Sequence, residues 1–296
     1  MKTTCRYWVN LFGAALAALL LLGLGGLLWF SYWQAHNYVH PRRQDPPSGT
    51  LLRQKGIPYQ EIELFTSDNV RLAAWYTPPQ NGAVILVAHG YGDRRSEDFY
   101  ALFAEHDYGV LTWDFRGHGA SSGDLVTLGY YETLDVEAVL AYALAQPGVE
   151  HIGGWGGSMG AVTMIRATAR NPEIEALVAD SPFVTLEDEL DLRVPFPLLK
   201  PLIRGFAERE TGLQLNLVRP VDDIGLISPR PVFLIQGMAD NMVPLDSAER
   251  LYNAAGEPRE LWTEPDAPHM NMYSYYRTLY TKRVIKFFDT YLLGSR

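Results

Sequence analysis

The chain has 296 residues, 47% of them hydrophobic, enough to bury the core of one sizeable α/β domain. Its formal charge is −9, and after Lys55 the balance sharpens to 33 acidic against 19 basic residues, which argues against a nucleic-acid partner because phosphate binding needs a basic face. The single cysteine, Cys5, precedes the first apolar run, so the rest of the chain carries no disulfide, cysteine nucleophile or cysteine-ligated zinc.

Residues 11–30 are apolar or glycine throughout, and no charged residue occurs between Arg6 and Arg42. At the rise of an α-helix the run is about 30 Å long, the thickness of a bilayer core. Tyr7 and Trp8 precede it and Trp29, Tyr32 and Trp33 follow it, as rings that favour the two interfaces should. A cleaved signal peptide would have a shorter run and a small-residue cleavage site, whereas this one ends in "LLWFSYWQAH". The expectation is a single-pass anchor over residues 1–36, touching the membrane through 11–30. Lys2, Arg6 and the terminal amine favour an inside N-terminus and an outward-facing domain, although Arg42 and Arg43 nearly balance them. Residues 37–58 contain "HPRRQDPPSGTLLRQKGIP", dense in proline and charge, and read as a tether.

From residue 59 onward strand and helix patterns alternate. "YQEIELFTSDNVRLAAWYTP" predicts a hairpin turning at Ser67-Asp68-Asn69. "AVILVAHG" is a continuous apolar run ending in glycine, the mark of a strand buried on both faces. A helix capped by Ser96 follows, then strand "VLTWD", helix "YETLDVEAVLAYALAQ", strand "HIGGWG", helix "MGAVTMIRATAR" and strand "EALVADSPF". "PVFLIQG", "LDSAERLYNAAG", "RELWTEP" and a long final helix complete the series. Such alternation predicts an α/β fold over residues 59–296, with a mostly parallel central sheet flanked by helices. Residues 185–230 interrupt it with a proline-rich stretch of short helical patches, which predicts a small helical cap over the site.

Within "HIGGWGGSMGAVTM", Gly156-Gly157-Ser158-Met159-Gly160 falls where a strand meets a helix. A serine nucleophile on so sharp a turn needs tiny neighbours, and Gly156 and Gly160 supply them. The helix N-terminus beyond offers free amides, so the Met159 N–H can receive a developing oxyanion. Taken alone, the five residues fit an inert serine in a glycine bend equally well. Their company decides: a hydroxyl needs a base, and the base needs a carboxylate. Asp240 in "LIQGMADNMVP" and His269 in "EPDAPHMNMY" each follow a buried strand, at the edge where open parallel sheets place their sites. The order Ser158, Asp240, His269 is that of one hydrolase class.

On these residues the chain resembles α/β-hydrolase-fold proteins, and among them membrane-anchored bacterial serine hydrolases related to the S9/S33 peptidase and Bem46-type families. The likeness spans about residues 59–293 and rests on "VAHGYG", "DFRGHGASSG", "GGSMG", "PVFLIQGMADNMVP" and "PDAPHMN". It implies that the Tyr91 N–H is the second oxyanion donor and that "DFRGHG" is a structural turn.

His118 with Asp114, and His89, compete for the base, but neither histidine follows the strand that carries the acid. Asp246 and Asp266 compete for the acid; the first suits a helix N-terminus and the second a solvated loop. His36 and His40 flank the anchor and fit the membrane interface better than a metal, while His106 and His151 are isolated. No cofactor and no metal are expected. The predicted reaction is acyl transfer to water through an acyl-Ser158 intermediate, on a small acyl ester, thioester or short peptide. Tyr91, Trp155, Phe183 and Phe196 suggest an apolar pocket suited to an acyl chain. An aminopeptidase or oligopeptidase, a cofactor-free perhydrolase and a non-catalytic binding module stand as alternatives. A haloalkane dehalogenase is disfavoured, because its elbow would carry Asp where this chain has Ser158.

Overall fold

In the computed structural model, which describes residues 2–194 and 196–294, the strand-forming runs become eight strands. They are β1 (Gln60–Phe65), β2 (Arg71–Thr77), β3 (Ala83–Ala88), β4 (Gly109–Trp113), β5 (His151–Gly157), β6 (Ala176–Asp180), β7 (Val232–Gly237) and β8 (Arg259–Glu264). One sheet holds them all in the order β1-β2-β4-β3-β5-β6-β7-β8. β1 and β2 form the predicted antiparallel hairpin and β2 pairs antiparallel with β4; every other pairing is parallel.

The helices in chain order begin with α1 (Lys2–Val39), α2 (Thr50–Lys55), α3 (Glu97–Ala104), α4 (Glu132–Leu144) and α5 (Met159–Arg170). Then come α6 (Leu186–Arg193), α7 (Lys200–Thr211), α8 (Pro220–Asp223), α9 (Leu245–Ala254), α10 (Met272–Tyr275) and α11 (Arg277–Leu292). Because side chains alternate along a strand, the unbroken apolar run of β3 feeds two cores. Val84, Leu86 and Ala88 pack with Val136 and Val139 of α4 and Ile165 of α5. Ala83, Ile85 and Val87 pack with Phe103 of α3 and with Val284 and Phe288 of α11. Each large side chain so buried contributes about 1.5–3 kcal/mol, so both faces of the sheet are secured and its strand ends are held in place. The insertion between β6 and β7 is the expected helical cap, made of α6, α7 and α8.

The N-terminal segment departs from its predicted layout. α1 is exposed over residues 6–29, but Ser31, Ala35 and Val39 are buried. These positions recur every fourth residue, so one stripe of the helix faces Ile203 and Ala207 of α7, and the small Ser31 and Ala35 permit close approach. Residues 40–58 do not hang as a tether. Arg43 donates to the carbonyls of Gly119, Ser121 and Gly123, and Gln44 donates to the Gly92 carbonyl at 2.7 Å. The Glu97 carboxylate accepts from the Gly49 and Leu51 amides at 2.9 and 2.7 Å, and Leu52 is fully buried. Proline and charge suggested a tether because the partners that fix this segment lie 46 to 80 residues away in the chain.

Candidate active site

β5 ends at Gly157 and α5 begins at Met159, which leaves Ser158 alone at the junction with φ 52° and ψ −116°. A side-chain-bearing residue at such angles costs on the order of 1–3 kcal/mol, so the surroundings must impose it. They do so through the backbone: the Ser158 N–H donates to the Asp180 carbonyl at 2.8 Å, and the Ser158 carbonyl accepts from the Val162 N–H at 3.1 Å. The two flanking glycines allow the close approach. A Cβ on Gly156 would overlap the Gly160 carbonyl, and one on Gly160 would overlap the carbonyl oxygens of Ala88 and His89.

Loops after β7 and β8 bring Asp240 and His269 to this point. His269 Nε2 lies 2.9 Å from Ser158 Oγ, and His269 Nδ1 lies 2.7 Å from Asp240 Oδ2. With its Nδ1–H donated to the carboxylate, the imidazole turns a lone pair on Nε2 toward the serine hydroxyl. Asp240 Oδ1 accepts from the Met242 and Val243 amides, both at 2.8 Å, and Oδ2 also accepts from Gln236 Nε2 at 2.8 Å. Burial alone would raise the Asp240 pKa; the hydrogen bonds from His269, Val243 and Met242, with the electrostatic pull of the His269 ring, outweigh it and hold it below the usual range.

The competing residues go elsewhere. His118 Nε2 accepts from the Gly92 N–H and His89 Nε2 accepts from the Phe115 N–H, each at 3.0 Å. Burial pulls both histidines down to about 4, so they are neutral acceptors that pin the loop carrying Tyr91. Asp114 accepts from the Arg95 and Ala120 amides at 2.8 Å, bracing the "DFRGHG" turn from inside. Asp246 is an exposed partner of Arg250, and Asp266 accepts from the Tyr276 hydroxyl at 3.5 Å. His106 bonds the Leu102 carbonyl and His151 pairs with Glu175.

Tyr91 and Met159 line the same pocket as Ser158. Among the described residues the Tyr91 N–H has no hydrogen-bond partner, and the Met159 N–H, first in α5, has no acceptor within its helix. The Tyr91 phenol donates to the carbonyls of Asn37 and Tyr38 at 3.0 and 2.9 Å, so the end of α1 anchors this loop. Burial pushes that phenol up to about 12, which keeps it a donor.

A pocket opens from Ser158 between the sheet edge, the cap and α1. Tyr91, Phe183 and Leu186 line it with Ile203 and Ala207 of α7 and Ala35 and Val39 of α1. Trp155 and Phe196, expected there, are not in its wall. Trp155 points from β5 to the opposite face of the sheet, stacked on Phe99 at 3.8 Å and donating to the Tyr280 hydroxyl at 2.9 Å. Phe196 is exposed on the cap surface.

Sequence reasoning missed three polar residues. Gln236 lies inside the apolar run "PVFLIQG", where a lone buried amide was the available signal. Asp180 ends β6 and accepts from the Ser181 and Tyr280 hydroxyls, both at 2.9 Å, and burial pushes its pKa up to about 6. Glu189 of the cap lines the pocket; Oε1 accepts from Arg193 Nε at 2.6 Å, while Oε2 is buried without a partner among the described residues. Burial raises its pKa against the pull of Arg193.

Residues 79–217 match the protein family described as "Serine aminopeptidase, S33". The uncharacterized protein YqkD of Bacillus subtilis is 30% identical over 225 residues, covering 72% of this chain and 73% of the relative. The α/β hydrolase domain-containing protein WAV2 of Arabidopsis thaliana is 29% identical over 255 residues, or 80% and 81% of the two chains. The esterase Pf2001 of Pyrococcus furiosus superposes with a TM-score of 0.73 at 26% identity, covering 86% of this chain and 99% of its own.

Proposed function

Because the chain belongs to the S33 serine-aminopeptidase-like family of the α/β-hydrolase fold, we propose that it is a membrane-anchored serine hydrolase that transfers the acyl group of a carboxylic ester or thioester to water. The observation that carries this reading is His269, bonded at once to Ser158 Oγ and Asp240 Oδ2.

In the proposed reaction, Ser158 Oγ attacks the substrate carbonyl while His269 Nε2 takes its proton. Asp240 holds the ring and stabilises the imidazolium. The Tyr91 and Met159 amides receive the oxyanion of the tetrahedral intermediate, where each donor contributes about 2.7–4 kcal/mol in comparable sites. His269 then gives its proton to the leaving oxygen or sulfur, and a water activated by the same nitrogen releases the acid. The apolar wall of Phe183, Leu186 and Ile203 supports an acyl chain as the group retained on Ser158. The likeness to an esterase of known structure supports the same bond type.

Glu189 favours a second reading. A buried carboxylate oxygen without a partner, in the pocket wall, suits the ammonium of a peptide N-terminus, which would make the enzyme an aminopeptidase. A series of p-nitrophenyl acyl esters run against aminoacyl amides separates the two; the ester reading expects turnover that rises with chain length and negligible amide cleavage. Fluorophosphonate should label the parent protein and leave Ser158→Ala unlabelled. A parent protein that neither labels nor turns over any of these substrates would point to a binding module.

A further inference from the structure

Where the anchor helix meets the cap lies a cluster that acyl transfer leaves unused. His36, in the last turn of α1, and His40, one turn further on, lie with ring centroids 4.3 Å apart and planes tilted by 39°. Both face Glu210, in the last turn of α7: His36 Nδ1 and His40 Nε2 each lie 3.3 Å from Glu210 Oε2. One ligand atom from each of the three residues lies within 4.8 Å of the other two. We propose that His36, His40 and Glu210 form a binding site for a divalent transition cation, Zn²⁺ foremost, which latches the end of the anchor helix onto the cap beside the pocket.

Three features support a metal. First, histidines four residues apart project from one face of a helix, the spacing by which helices present paired imidazoles to zinc. Second, bonds of 2.0–2.1 Å in a tetrahedron place ligand atoms about 3.3 Å apart, which is the separation of both imidazole nitrogens from the shared carboxylate oxygen. Third, His40 is oriented from behind. Its Nδ1 faces the Asp124 carbonyl, which only accepts, so Nδ1 carries the proton and Nε2 directs a lone pair at Glu210. A lone pair and a carboxylate oxygen repel at that distance unless a metal ion or a further proton lies between them. Backbone support of the far ring nitrogen is also how metal-bound histidines are commonly held.

The site lies at a mechanically useful point. Glu210 and His40 are partly shielded, which leaves room for a water as fourth ligand. Ala35, Tyr38 and Val39, interleaved with the histidines on α1, line the pocket, as do Ala207 and Thr211 on either side of Glu210. A bound cation would therefore tie two walls of the pocket together.

The test uses the full-length protein in detergent micelles, stripped with EDTA and titrated with Zn²⁺ by calorimetry, with metal content measured after dialysis. The expected result is one Zn²⁺ per chain and a higher Tm on rebinding. The double variant His36→Ala/His40→Ala and Glu210→Gln should each weaken binding by at least the ~10–100-fold that loss of even an outer partner costs a metal site. His269→Ala should bind normally. Co²⁺ in the parent protein should give the visible spectrum of a tetrahedral site, a readout that requires no variant to fold. Absence of stoichiometric binding in the parent protein, or loss of binding in His269→Ala alone, would overturn the proposal. So would a Tm that falls in Glu210→Gln but is indifferent to EDTA and Zn²⁺, since that outcome identifies an ion pair only.

Discussion

Gln236 Nε2 donates to Asp240 Oδ2 at 2.8 Å, the same oxygen that accepts from His269 Nδ1 at 2.7 Å. A further bond from Gln236 Nε2 to the Val243 carbonyl at 2.9 Å fixes the amide, so the carboxylate that orients the histidine is itself oriented from below. Gln236 is therefore a positioning residue for the proposed triad. Gln236→Leu should lower kcat by about 10–100-fold, the worth of one hydrogen bond to a charged group, with KM little changed. Steady-state kinetics on a short p-nitrophenyl ester measure the split; a rise in KM at constant kcat would contradict a positioning role.

Asp240→Asn keeps the shape of the acid and removes its charge. The amide would favour the wrong imidazole tautomer, and the corresponding change in a Ser-His-Asp protease costs about 10⁴ in kcat. A loss of that order is expected here, with the Tm nearly unchanged. Activity within a few-fold of the parent would remove Asp240 from the mechanism.

Gly160→Ala places a methyl group against two backbone carbonyls, those of Ala88 and His89, neither of which can rotate away. The expected cost is about 1–3 kcal/mol of stability, as for other overpacked sites, together with a large loss of fluorophosphonate labelling as the elbow shifts. Ala161→Gly, one position on in the same helix, is the control for helix propensity and should label normally.

Asp180 gives stability a pH dependence of definite sign. Its pKa rises from 3.8 to about 6 on folding, chiefly through burial, so its contribution is full below 3.8 and is lost as pH rises through about 6. The gap corresponds to about 3 kcal/mol at most. Asp180→Asn removes the titration, so its Tm relative to the parent should climb between pH 4 and about 7 and then level off. Groups common to both proteins cancel in that difference. A flat difference would show that Asp180 stays ionised throughout.

For the N-terminus, the expected outcome depends on where the chain is cut. The full-length protein should resist alkaline carbonate extraction, and a chain lacking residues 2–30 should be released to the soluble fraction yet keep the proposed hydrolase activity. Removing residues 2–40 should also cost activity and Tm, because Ala35 and Val39 fill the space against Ile203 and Ala207 and the Tyr91 phenol loses its acceptors. Recovery of a mature protein that begins after residue 30 would instead identify a cleaved signal.

Local patterns carried much of this. Strand and helix periods, the unbroken apolar run of β3 and the strand-to-helix setting of Ser158 are properties of neighbouring residues, and each is expressed in the structure where the sequence places it. The side of the sheet to which Trp155 points was open to error, since it depends on the pleat of β5 and on a partner, Tyr280, 125 residues away. Glu189 was invisible for a related reason: a polar residue in a cap helix gains meaning only from what it touches, and the amide of Gln236, though conspicuous in an apolar run, does not name its partner.

Sequence alone determined the α/β class, the apolar helix and the three residue types arranged in hydrolase order, because propensity, hydrophobic period and motif spacing are all local. Tertiary structure decided the rest. It brought Asp240 and His269 to within 3 Å of their partners across 29 and 111 residues of chain, packed residues 31–58 onto the domain, and set His36 and His40 against Glu210, 174 residues from His36. Burial, hydrogen-bond satisfaction and charge compensation act between surfaces that meet only after the sheet has formed, and no local pattern encodes which surfaces those will be.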